Sequence, residues 1–151
     1  MNINFITSSE KKDIIFNLDK QFGIKELPYL LIKTGKEKIR AFTGHLSKDE
    51  IRKLSRKINI EIIGIYLIRK EHDFRLSLDA TMLLKPRIKN NILAISDEHL
   101  KEWMRGNDLI IKMQRQTLVI KHNDDFIGCG RSTGEKIANY IPKDRRLRSK
   151  I

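Results

Sequence analysis

Four short β-prone segments crowd together near the end of this chain, at residues 109–113, 117–121, 126–129 and 137–141. The stretch between the second and third, His122-Asn123-Asp124-Asp125, is a polar hairpin loop of the residue types that tolerate tight turns. Just before them, Ser96-Asp97-Glu98 opens a short helix with its acids at the favourable positive end, Leu100, Trp103 and Met104 on the helix, and Gly106 as its stop. Several short strands with one small helix are the pattern of a compact β-barrel. Residues 92–95, Ile-Leu-Ala-Ile, read as one further strand.

The first half has another texture. Ser8 and Ser9 stand where a helix would be capped, with Ile14, Ile15, Leu18 and Phe22 on one face and Gly23 at the stop. Pro28 opens Tyr29-Leu30-Leu31-Ile32-Lys33, a strand that turns at Thr34-Gly35-Lys36 and returns through Ile39, Arg40 and Ala41. Ser47-Lys48-Asp49-Glu50 is a capping box, in which serine and glutamate each satisfy the other's free amide, and Ile51, Leu54 and Ile58 continue that helix. A β-branched run over residues 60–68 is long enough for a central strand. The fold class is α+β: an N-terminal α/β domain with a small mixed sheet over residues 1–78, then a C-terminal barrel over residues 79–151. Asp79 to Leu84 reads as a helical turn stopped by Pro86.

Charge narrows the partner. The chain of 151 residues carries 31 Lys and Arg against 19 Asp and Glu, a net charge of +12. Each half carries +6, and the final 21 residues from Arg131 hold +5. Such an excess points to a polyanion, nucleic acid or an acidic membrane face. The apolar runs are too short to span a bilayer, and the N-terminus lacks the pattern of a signal peptide, so a cytoplasmic location is expected. One cysteine, Cys129, excludes an internal disulfide and a multi-cysteine zinc site. The four histidines, His45, His72, His99 and His122, are far apart in sequence and suggest no metal site.

The run Trp103-Met104-Arg105-Gly106-Asn107-Asp108-Leu109, then Phe126-Ile127-Gly128-Cys129-Gly130-Arg131, then Tyr140-Ile141-Pro142-Lys143, resembles the PUA domain, an RNA-binding module. The closing segment Asn139 to Leu147 is similar to PUA regions of Sun/Fmu-type RNA cytosine methyltransferases. Phe74-Arg75-Leu76 through Ala80, Leu83 and Pro86 is similar to the segment joining the two domains of Nip-type ribosome-assembly factors, whose length and domain order this chain shares. Cys129 between the glycines is a mild departure from the small or aromatic residue often found there. The resemblance implies RNA contacts from the short helix, its glycine corner and the last strand, matching here Lys101, Arg105, Gly106, Arg131, Lys143, Arg145 and Arg146. At Gly106 a phosphate could approach the backbone with no side chain in the way.

Other candidates have simpler readings. Tyr140 could stack on a base, but a tyrosine packed in the barrel core is the better expectation. Leu78-Asp79-Ala80-Thr81 echoes a pseudouridine synthase catalytic neighbourhood, yet those enzymes need a domain larger than this chain, and Asp79 fits a helix start. Cys129 fits a small buried apolar residue better than a nucleophile, because no Gly-rich cofactor loop follows a strand here. The resemblance thus implies a non-enzymatic RNA-binding protein, without cofactor or membrane partner. It would bind rRNA or tRNA and act in ribosome biogenesis or rRNA processing, with a ribosome-assembly protein as partner. The alternative is an RNA-modification role, as accessory subunit of a separate methyltransferase or pseudouridine synthase.

Overall fold

The computed structural model describes residues 3–148, which form two sheets whose buried residues fall into three clusters. The first sheet has five strands in the order β1-β2-β3-β4-β5: Asn4–Phe5, Leu30–Thr34, Lys38–Phe42, Ile65–Lys70 and Phe74–Leu76. Every pair in it is antiparallel, where a mixed sheet was expected. The reason lies in the helical connections. Helix α1, Ser8–Phe22, runs about 22 Å away, and residues 23–29 bring the chain back, so β2 starts beside the end of β1. Helix α2, Lys48–Lys57, is followed by a similar return through residues 58–64.

Local chemistry sets the boundaries. Thr7 rather than Ser8 or Ser9 caps α1: its hydroxyl accepts from the Glu10 amide at 3.1 Å while the Glu10 carboxylate accepts from the Thr7 amide at 3.2 Å. Ser47 and Glu50 make the same reciprocal pair on α2. Strand β4 begins at Ile65 and not at Ile60, because the carbonyls of Ile63 and Gly64 are taken by the Arg40 guanidinium, at 3.0 and 2.7 Å. Strand β5 is an edge strand, and Gln21 of α1 pairs with it by exchanging two hydrogen bonds with the Phe74 backbone.

Helix α3, Leu78–Leu83, leads into the second sheet. That sheet has the order β6-β7-β8-β9: Ile92–Ala94, Thr117–His122, Asp125–Ser132 and Ile137–Asn139, with β6 parallel to β7 and the rest antiparallel. Helix α4, Asp97–Met104, lies between β6 and β7 in sequence. The sheet is open among the described residues, with no barrel closure. Residues 109–113 contribute an isolated bridge, Leu109 to Ile137, instead of a fifth strand. The last strand stops at Asn139 because its side chain turns back to accept from the Ile141 amide at 2.8 Å.

Alternate residues of β7 and β8 enter different interiors. Val119, Phe126 and Cys129 join the main cluster with Leu18, Phe22, Leu67 and Leu76. Leu118, Ile120 and Ile127 join a second cluster around Trp103, whose indole donates to the Ile127 carbonyl at 2.7 Å. The N-terminal and C-terminal halves therefore share a core.

Cys129 belongs to that core, and burial pushes its thiol up to about 12, well above neutral pH, so it stays protonated. The native protein should resist an aromatic disulfide reagent at neutral pH and react stoichiometrically once unfolded in guanidinium. Rapid modification of the folded chain, followed optically, would contradict the packing described.

Candidate nucleic-acid interface

The end of α4 is built from the sequence outward. Ser96 caps the helix by accepting from the His99 amide at 3.2 Å, and Asp97 and Glu98 occupy its first turn. Trp103, wholly buried, fixes the helix against the second sheet, and Gly130 makes that possible: a Cβ there would sit 2.8 Å from the indole. The chain then turns at Gly106, whose φ of 88° is in the left-handed region.

Asn139 holds the corner. Its side-chain amide donates to the carbonyls of Trp103 at 2.8 Å and Asn107 at 3.0 Å, and its backbone amide donates to the Asp108 carboxylate at 2.9 Å. Lys136 pairs with the same carboxylate at 2.9 Å. That ammonium foremost, with the Asn139 amide and the Arg146 charge, holds the Asp108 carboxyl below its ordinary value against a smaller opposing effect of burial. The end of the chain returns here, with the Leu147 amide donating to the Met104 carbonyl at 2.7 Å.

Six of the seven sequence-derived positions fall into two groups, and Lys143 stands apart from both. Lys101, Arg105, Gly106 and Arg146 belong to the α4 corner. Lys101 and Arg105 are exposed, one helical turn apart, and Arg105 makes a loose surface pair with Glu102 at 3.8 Å. Arg146 lies directly over Gly106, where an added Cβ would collide with its guanidinium, and its Nε donates to the Ile141 carbonyl at 2.9 Å. The space above Gly106 is thus occupied by a cation, and what this face presents at that point is arginine.

Arg131 and Arg145 face the other way, toward acids of the preceding segments. Arg131 meets Asp73 at 2.9 Å and the Thr117 hydroxyl at 3.1 Å, and Arg145 meets Asp79 at 3.0 Å. Asp79 stands in the first turn of α3, as a helix-start residue would. Lys143 is exposed in the helical turn Lys143–Arg145. Among the described residues neither Lys101 nor Lys143 forms an ion pair. Tyr140 is half-buried, and its ring is covered by the Arg75 guanidinium at 4.0 Å from the centroid. Asn139 escaped the sequence reading because only its distance partners reveal it. Among the described residues no three His, Cys, Asp or Glu side chains are grouped to hold a metal, and no helix is long and apolar enough to cross a membrane.

Two outcomes follow for stability. Gly106→Ala meets both an unfavourable φ and the Arg146 side chain, and should cost about 2–4 kcal/mol in urea unfolding. Gly134→Ala, at a φ of 101° with nothing within 4 Å of the new methyl, should cost about 1–2 kcal/mol. Equal losses would show that Arg146 does not fill the corner. The lowered Asp108 pKa gives stability that is present above the ordinary carboxylate value and lost as pH falls through the lower folded one. Asp108→Asn should therefore flatten the acid side of a melting-temperature profile, and an unchanged acid limb would remove Asp108 from the clamp.

Residues 90–147 match the family model described as the methyltransferase RsmF PUA domain, a span that contains α4, Gly106, the glycine pair and the closing arginines. Over the whole chain the fold is similar to a conserved PUA domain protein from Thermoplasma acidophilum, at 17% identity and a TM-score of 0.60, with 92% of this chain and 93% of that one covered. No curated protein sequence matches significantly. With its glycine corner, two-sided sheet and returning basic segment, the stretch over residues 90–147 is similar to a PUA domain, a class of domain that binds RNA.

Proposed function

We propose that this chain binds structured RNA through its PUA domain and serves as a non-enzymatic factor in ribosome assembly or rRNA maturation in the cytoplasm. The observation that carries the reading is a set of exposed cations at the α4 corner and in the returning segment. Lys101, Arg105 and Lys143 are exposed on the PUA domain, two of them without an acidic partner among the described residues. Cations presented in this way neutralise phosphates and release counterions, which supplies most of the affinity of a sequence-independent contact. The Arg105–Glu102 pair is long and solvated, so exchanging the carboxylate for a phosphate costs little. Arg146, pinned over Gly106 by its Nε, keeps its terminal nitrogens for a planar, two-point contact with a phosphate or a base.

A second reading has its own support. The matching family model is that of an RNA methyltransferase's PUA domain, which favours an accessory subunit that presents RNA to a separate modifying enzyme. Purification from cells separates the two: ribosomal precursor particles support the first role, and a stable methyltransferase or pseudouridine synthase partner supports the second. Methyl transfer to RNA by the isolated chain with a methyl donor would overturn the non-enzymatic reading.

The direct test is a salt titration of RNA affinity. Replacing Lys101, Arg105 and Lys143 together by alanine should weaken binding roughly tenfold or more at physiological salt and reduce the log–log salt slope by roughly two to three. The melting temperature should hold, because these side chains are exposed. An unchanged slope with wild-type affinity would move the interface off this corner.

A further inference from the structure

We infer that the hairpin end of the five-stranded sheet is a second phosphate-binding surface, one that takes the backbone of the same RNA. The inference rests on the RNA-binding reading above and adds to it a site in the N-terminal half.

The outer face of this sheet carries Leu30, Ile32 and Thr34 from β2 and Lys38, Arg40 and Phe42 from β3, as their register shows. Toward one end this face is covered: Ile32 packs with Ile51 of α2 and Ile63, with Leu30 and Phe42 alongside. Toward the β2–β3 turn the cover ends, and an open concavity of about 630 Å³ is lined by Lys36, Lys38, Arg40 and Arg69, with Glu37 as its acid.

The arrangement of these cations is costly to a fold that has no use for it. Lys38 and Arg69 are direct register partners across β3 and β4. Like charges facing each other in this way destabilise a sheet. The Lys38 ammonium leans over the Tyr66 ring, 5.4 Å from its centroid, and Arg69 meets Glu71 at 3.1 Å, yet no carboxylate is placed between the two cations among the described residues. Arg40 is held in place by the Ile63 and Gly64 carbonyls through Nε and one terminal nitrogen, so its guanidinium is set in orientation before any ligand arrives.

The spacing favours a polymer over a free anion. Lys38 and Arg40 are two residues apart on one strand face, about 7 Å along the strand, comparable to the separation of successive phosphates. Lys36 continues the row into the turn. Strand positions also fix this row to the rest of the molecule, since Ile39 and Ala41, which alternate with Lys38 and Arg40, lie in the core shared with the PUA domain.

Lys38→Glu is the discriminating variant. It places an acid opposite Arg69, so the folded chain should melt at the wild-type temperature or higher, while affinity for an RNA stem–loop of two helical turns falls roughly threefold to tenfold. The log–log salt slope should drop by about one or more. Lys36→Ala with Lys38→Ala should weaken binding in the same direction without adding a negative charge. The loss should combine additively with that of the Lys101, Arg105 and Lys143 variant. If that PUA-corner variant weakens binding while both hairpin variants keep wild-type affinity and slope, the hairpin surface is excluded and the RNA-binding reading stands. If the wild-type chain fails to bind the stem–loop at low salt, both fall together. Inorganic phosphate competing at concentrations similar to those of the RNA phosphates would also overturn the inference, by making this a small-anion site.

Discussion

The structure depends on the second sheet being buried on both faces. A sheet of four short strands cannot bury enough apolar area by closing on itself at this size, and β7 and β8 solve this by sending alternate side chains into two clusters. On one side α3 is pressed against β8, where Thr81, wholly buried, donates to the Leu78 carbonyl at 2.7 Å and accepts from the Gly128 amide at 3.1 Å. On the other side Trp103 fills the space between α4 and the sheet. A covered face needs no barrel closure, which accounts for the open sheet. It also fuses the N-terminal half to the C-terminal part through apolar packing, reinforced by the Arg131–Asp73 pair.

The same constraint places the basic residues. With both faces of the sheet occupied, its rims are left for contact with other molecules: the α4 corner and the returning segment. The corner is held by a polar clamp in which the Asn139 side chain ties the Trp103 carbonyl, in the last turn of α4, to the Asn107 carbonyl just beyond it. Gly106 and Arg146 are complementary parts, one without a side chain so that the other can lie across it. The conformation of the proposed interface is thus set by the fold in the free chain, which would lower the cost of ordering it on RNA.

Much of this was legible in the sequence because it is local. The capping box at Ser47, the turn at Asn123-Asp124, the short helix from Asp97 and its stop at Gly106 each depend on residues within one or two turns of each other. The glycine pair around Cys129 was legible as a motif, and the structure gives its reason in the approach of Trp103 to Gly130. Strands β1 and β5 escaped because two or three residues carry no alternation, and β5 is specified by Gln21, distant in sequence. Arg131 and Arg145 read as free cations since their acids, Asp73 and Asp79, lie far back in the chain. The hairpin concavity was hidden for a similar reason: the register that brings Lys38 opposite Arg69 is a property of paired strands.

The rim of the C-terminal sheet is the proposed place where this chain meets RNA. Ultraviolet crosslinking in cells, followed by mass spectrometry of the crosslinked peptides, tests it most directly. The account predicts crosslinked nucleotides on peptides spanning Lys101 to Asp108 and Lys143 to Leu147. Recovery of no RNA above background, or crosslinks confined to α1 and its flanking loops, would contradict it.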